Sequence, residues 1–256
     1  ISALALSNIG FHAVVATGGD VALVFRAAVS VYVLLIALVG GRIVPSFTRN
    51  FIVKSGGAGL PVPFGRFDAV AIAVLVLTLG AWTVAPAASF IGLLATVAAA
   101  LHFVRLWRWR GWLVLEEPLL AMLHISYAFI PIGVLAVGAA AAGWISAASA
   151  LHVLTVGAIG GMTLAVMTRA SLGHTGRPTV ASPFTATAYL GLLVAATVRP
   201  FAEFVPSHYH TILAVSGAAW LLAFGLFALE YAPILCSRAP AVERRRRATN
   251  RGAVRS

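Results

Sequence analysis

The stretch Val156–Pro178, VGAIGGMTLAVMTRASLGHTGRP, decides how this chain is read. Its first part is continuous and apolar enough for half of a membrane helix. Its second part, LGHTGRP, is a turn that sets His174 and Arg177 beyond Arg169. Glycine and small polar residues stand where an ordinary span would use leucine. Gly157 and Gly161 make a GxxxG with Gly160 beside it, a spacing that lets a neighbouring helix approach closely. A flat cofactor ring against the same glycine face is the alternative.

Outward from this stretch the composition repeats the message. The chain is 61% hydrophobic and only 10% charged, where a soluble domain carries about a quarter of its residues charged. Windows of roughly 20 apolar residues, the length that crosses a bilayer, recur from end to end. The predicted fold is therefore all-α, a polytopic transmembrane bundle of about eight helices. The spans fall near 1–18, 21–41, 67–86, 89–107, 117–140, 145–169, 183–201 and 209–236. Residues 1–237 read as a single transmembrane domain and 238–256 as a basic, disordered, solvated tail. The break Gly41–Arg66, with Pro45, Pro61, Pro63 and GGAG, reads as an ordered loop or a short surface helix. The chain starts at Ile1 inside an apolar run, which suggests that further helices of the same protein precede it.

A net charge of +11 could suggest nucleic acid, but the basic residues sit in short connections between apolar runs, so membrane lipid is the surrounding partner instead. Arg42, Arg49, Lys54, Arg66, Arg105, Arg108, Arg110, Arg169, Arg177 and the arginines from Arg238 onward fall on one side, and Arg199 on the other. Positive loops stay in the cytoplasm, which places the C-terminus there. Arg26, inside the second span, is expected to snorkel or to pair with Asp20. Glu116 and Glu117 precede Pro118 as a helix start prefers, with Arg108 or Arg110 as possible partners. Trp107, Trp109 and Trp112 read as an interfacial belt. The single Cys236 excludes an internal disulfide.

No P-loop, GxSxG elbow or CxxC pair is present, and the GGAG run follows no strand. The chemistry left is histidine. His12, His102, His124 and His152 fall inside spans, where a polar side chain needs a partner; His208 and His210 lie at the opposite rim. At 1.5 Å per residue, His12 and His152 share one half of the bilayer and His102 and His124 the other. Two depth-matched pairs suit a bis-histidine haem or a copper site. The competing reading is that each histidine simply hydrogen-bonds a neighbouring helix. Tyr127 lies three residues after His124 on its face, where the two are expected to share a hydrogen bond, and Thr155 and Thr163 extend the His152 face. Met162 and Met167 point to different faces, which favours packing over copper ligation.

Four stretches, GGRIVPSFTRNF (Gly40–Phe51), LHFVRLWRWRG (Leu101–Gly111), EPLLAMLHISYAF (Glu117–Phe129) and LHVLTVGAIGGMTLAVMTRASLGHTGRP (Leu151–Pro178), together resemble the NnrS family. That resemblance implies a membrane protein of about twelve helices, containing haem and copper and associated with resistance to nitric oxide and nitrosative stress. It carries the family's histidines onto His102, His124, His152 and His174, its arginines onto Arg49, Arg169 and Arg177, and more weakly a histidine onto His12. The family's front part, with its WHAHE-like motif, has no counterpart here. The expected metal residues are thus His12, His102, His124 and His152. The expected cofactor-binding residues are His102, His124, Arg169, His174 and Arg177, with Arg169 and Arg177 as a fork for a haem propionate or for Glu116 and Glu117. Two other classes stay open: a small-molecule transporter or channel without a redox cofactor, and a haem–copper enzyme that consumes nitric oxide.

Overall fold

The computed structural model describes residues 2–237, and the predicted basic tail at 238–256 lies outside them. Among the described residues are eight helices: α1 (Ser2–Ala16), α2 (Ala22–Lys54), α3 (Arg66–Val84), α4 (Phe90–Arg108), α5 (Pro118–Ala141), α6 (Ala147–His174), α7 (Pro183–Val198) and α8 (Tyr209–Cys236). Seven are long and apolar enough to cross a membrane; α1, with 15 residues, is shorter. The chain is a multi-pass membrane bundle. Helix α5 is its central post, packed against α2, α4 and α6, while α7 and α8 pair with each other and lean on α6.

Local chemistry sets the helix ends. Glu117 caps α5, accepting the Leu119 N–H at 3.2 Å, with Pro118 at the first helical position, where a missing N–H costs nothing. Ser146 and Ser182 cap α6 and α7 through the N–H groups of Ser149 and Thr185. Helix α6 closes on Gly176 at φ 72°, with Arg177 N–H on Leu172 O at 2.9 Å. This is the reversal that glycine in the left-handed region permits, and it moves the helix end from the expected Arg169 to His174.

The main departure from expectation is α2. Gly40, Gly41 and Pro45 do not end it; one helix of 33 residues runs to Lys54, about 50 Å long, and so projects beyond a hydrocarbon layer of ~30 Å. Packing overrides helix propensity here. Gly40 and Gly41 are buried, and a Cβ on Gly41 would overlap the guanidinium of Arg105. The real stop comes at Gly56 (φ 71°), where Gly57 N–H reaches Ile52 O at 2.9 Å.

Helices α5 and α6 lock through glycine notches. A Cβ on Gly133 would strike Leu154, one on Gly157 would strike Phe129, and one on Gly161 would lie 2.8 Å from Ser126 Oγ. The glycine face of α6 is thus filled by α5 side chains. Residues Val153–Gly160 form a π-helical stretch, which re-phases the face downstream of His152, so the 100° spacing expected for Thr155 and Thr163 does not carry through it.

The helix ends at Lys54, Arg108, Glu117 and His174 share one, predominantly basic, face of the bundle, and Ser89, before α4, lies at the other. In a Cys236→Ser background, single cysteines at Ser89 and Ser237 are expected to label from opposite sides of an intact membrane. Labelling of both from one side would contradict the helix count.

Candidate functional site

The polar interior begins with Asp68, three residues into α3. One carboxylate oxygen accepts the Gly65 N–H at 3.0 Å and so caps the helix; the other accepts Arg105 Nε at 2.9 Å. Arg105 is completely buried and Asp68 nearly so, at 2% exposure, while Arg108 approaches the same carboxylate at 3.8 Å from a more open position. Arg105 Nη1 also donates to Ala37 O at 2.9 Å and to Tyr127 Oη at 2.7 Å.

These bonds fix the next proton. Tyr127 Oη, accepting from Arg105, has its own hydrogen free for His102 Nδ1 at 2.9 Å. His102 then carries its proton on Nε2 and donates it to Ala71 O at 3.2 Å. Both ring nitrogens of His102 are therefore engaged with protein. Among the described residues Arg105 Nη2 has no hydrogen-bond partner, and it lies against Gly41, whose carbonyl has lost its usual helical donor to Pro45.

His124 is buried beside this network, at 6% exposure. Its Nε2 lies 2.8 Å from Thr48 Oγ1, and the Thr48 hydroxyl donates to Val44 O at 2.9 Å. Nε2 is then the donor, and the unpartnered Nδ1 presents a lone pair. That nitrogen faces Gly111, where a Cβ would lie 2.6 Å away. The preceding Arg110 takes the left-handed conformation, φ 55°, which costs a non-glycine residue on the order of 1 kcal/mol and turns Gly111 toward the ring. The expected His124–Tyr127 bond is not formed; Tyr127 serves His102 and Arg105 instead. Trp109 likewise leaves the expected belt: it is buried, with its ring 4.5 Å from that of Tyr127, while Trp107 and Trp112 remain exposed.

The basic face opens into a recess of about 620 Å³ lined by Asn50, Lys54, Glu117, Arg169 and Arg177 among others. The Arg169 guanidinium lies 4.4 Å above the ring of Phe47, and among the described residues it has no acidic partner within 4.0 Å. Arg177 is held at the rim by Ile234 O at 3.4 Å and Ser237 Oγ at 3.0 Å. A second, more apolar recess of about 380 Å³ shares Phe47, Arg169 and Thr179 with the first and adds Ile43, Leu123, Val166 and the exposed His174. Arg169, His174 and Arg177 are thus brought together around connected space.

The other predicted residues are elsewhere. His12 is exposed on α1, its ring edge-on to Phe11. His152 is half-buried at the opposite face, with Nδ1 on Ala148 O at 2.8 Å. Arg26 donates to Thr83 O at 3.1 Å, and Asp20 accepts the Ala22 N–H at 2.9 Å, so these two are not paired. Glu117 is a helix cap, and Arg108 turns to Asp68. Sequence reasoning missed Asp68 altogether and took Arg105 for a topology signal. The clue was available: Arg105 follows His102 by three residues and shares its face.

A membrane bundle with engaged imidazoles in its core and a cationic recess at one face defines a class of polytopic membrane proteins built around buried polar groups. The chain belongs to the NnrS family: residues 1–238 match the model described as NnrS protein. Comparisons with curated proteins and with solved structures gave no match.

Proposed function

We propose that this protein is a haem- and copper-associated membrane protein of the nitric oxide response, seated in the bacterial inner membrane with its basic face toward the cytoplasm, and that it protects against nitrosative stress. Family membership supports this reading, and the observation that carries it is the connected pair of recesses around Arg169. Haem is an amphiphile with two carboxylates. Three cations, Lys54, Arg169 and Arg177, against the single carboxylate Glu117 suit the carboxylates, while Ile43, Phe47, Leu123 and Val166 suit an apolar ring edge.

The donor atoms fit unevenly. His174 borders the apolar recess beside Arg169, so single-imidazole ligation fits there, whereas His124 Nδ1 is closed in by Gly111 and does not line that recess. His102, with both nitrogens committed, acts in this arrangement as a hydrogen-bonding residue. Among the described residues no three His, Cys, Asp or Glu side chains gather as a metal cluster, so a multi-residue copper centre does not fit within them. Haem iron, when bound, supplies a coordination position for a diatomic gas. The chain's own contribution is to hold carboxylates at Arg169 and Arg177 and to keep water from the apolar recess.

The Arg169→Lys variant tests this, since lysine keeps the charge and loses the planar fork. Full-length wild-type protein is expected to show haem absorbance, and the variant to insert normally but retain several-fold less haem and protect cells less from a nitric oxide donor. A colourless wild type, or a variant with unchanged haem content and tolerance, would refute the proposal.

A further inference from the structure

The face opposite the basic recesses carries a second cationic recess. It is about 280 Å³ in volume and lies between α6, α7 and α8, lined by His152, Val156, Ala195, Arg199, Leu213, Ser216, Gly217 and Trp220. Arg199 is the cation that departs from the charge asymmetry of the chain. An arginine on that side has no value as a topology signal, and within a bilayer a charged group asks for a named partner. Its Nη1 is enclosed and has no hydrogen-bond partner among the described residues, and the guanidinium lies 6.0 Å from the centroid of the Tyr209 ring. The nearest acidic side chain in sequence, Glu203, is spent elsewhere: it accepts the Ser146 N–H at 3.2 Å and the Ser146 hydroxyl, fastening the start of α6. No ion pair joins Glu203 to Arg199 among the described residues.

The walls are fixed before any ligand arrives. Arg199 opens a 3-10 segment, Arg199–Phe204, which is tied to α6 at one further point. Ser149 Oγ donates to Pro200 O at 3.3 Å, and Ala202 is fully buried. Ser216 Oγ donates to Ala195 O at 3.0 Å and locks α8 to α7. His152 has its Nδ1 on Ala148 O at 2.8 Å, which assigns the proton to that nitrogen, and Nε2 makes no hydrogen bond among the described residues. The π-helical stretch begins at the next residue, Val153, as such stretches often do beside functional sites.

We infer that this recess is a binding site for a small planar oxyanion, held by the guanidinium fork of Arg199. Several properties select that class. A guanidinium matches two coplanar oxygens. The walls of Val156, Ala195, Leu213 and Trp220 favour a weakly hydrated ion. At about 30 Å³ of liquid volume per water, the space holds such an ion with a few waters and is too small for a macrocycle. A phospholipid phosphate offers similar oxygens, so the source of the anion is part of the test.

The experiment is thermal unfolding of the full-length protein in lipid-free detergent, titrated with sodium nitrate or formate against sodium chloride at constant ionic strength. A bound ligand raises stability by mass action. A saturable rise in Tm with the planar anions and not with chloride is expected. The Arg199→Lys variant should need roughly tenfold more anion for the same rise, because the fork is lost and the charge kept, and Arg199→Gln should show none. If Arg199→Gln does not fold, the lysine variant carries the comparison. Absence of a saturable rise in the wild type would overturn the inference, as would an identical response in Arg199→Lys. It would equally fall if stabilisation appeared only on adding anionic phospholipid, since the occupant would then be a headgroup.

Discussion

Replacing Asp68 with alanine is expected to destabilise the bundle by about 3–5 kcal/mol, the range for stripping one partner from a buried ion pair. The substitution does two kinds of damage. Arg105 keeps its charge inside the bundle with only Ala37 O and Tyr127 Oη to face it, and α3 loses the carboxylate that satisfied Gly65 N–H. The control is the double variant Asp68→Leu, Arg105→Met, which removes both charges and should recover much of the loss, because apolar replacements of a buried pair are often neutral. Unfolding in detergent, followed by helical signal and protease resistance, reads both. An Asp68→Ala protein as stable as wild type would show that the pair does not hold α3 to α4.

Gly157→Ala is the second large effect expected. The added methyl falls on the ring of Phe129, and α5 and α6 are anchored against each other on both sides of that contact, at Gly133–Leu154 and Gly161–Ser126. Neither helix can move aside alone. Overpacking of this kind costs about 1–3 kcal/mol, and here the strain passes into the helix that carries His124 and Tyr127. Adding Phe129→Leu removes ring atoms at the clash and should restore stability by more than half of the loss. If Gly157→Ala behaves as wild type, the notch is looser than the contact implies. Together these variants separate the electrostatic tie of α3–α4 from the steric tie of α5–α6.

How much of this was legible in the sequence follows from what sequence patterns record. Hydropathy reports immersion in lipid, so the helices were visible, most of them nearly to their ends with α2 the exception, and the GxxxG of Gly157 and Gly161 correctly announced a close neighbour. Hydropathy does not report which residue completes another's hydrogen bonds. Tyr127 could be assigned to His124 by helix spacing, but its hydroxyl is claimed by α4, where Arg105 and His102 stand on one face. The Gly40, Gly41 and Pro45 sequence looked like a helix end because these residues break helices in water. In the bundle, Gly41 is an indentation that the Arg105 guanidinium needs, while Gly40 packs in ordinary contact with Tyr127 and Met162. Of the candidate site, the cluster of Arg169, His174 and Arg177 was readable because those residues lie close in the chain. The Asp68–Arg105 pair and the Arg199–His152 recess were not, since each joins positions separated by more than thirty residues.

The pairing of Asp68 with Arg105 also bears on how the chain enters its membrane. Helices α3 and α4 are consecutive and joined only by the short turn from Val84 to Phe90. The anion at the start of one therefore meets the cation near the end of the other within a single hairpin. A lone arginine at that depth would oppose insertion; a hairpin that brings its own counter-ion does not. The two helices can partition together with the buried Arg105 already paired to Asp68, before the tyrosine of α5 has left the ribosome, and they offer that later helix a prepared donor on Arg105. The buried ion pair of this bundle is thus completed early in the order of synthesis.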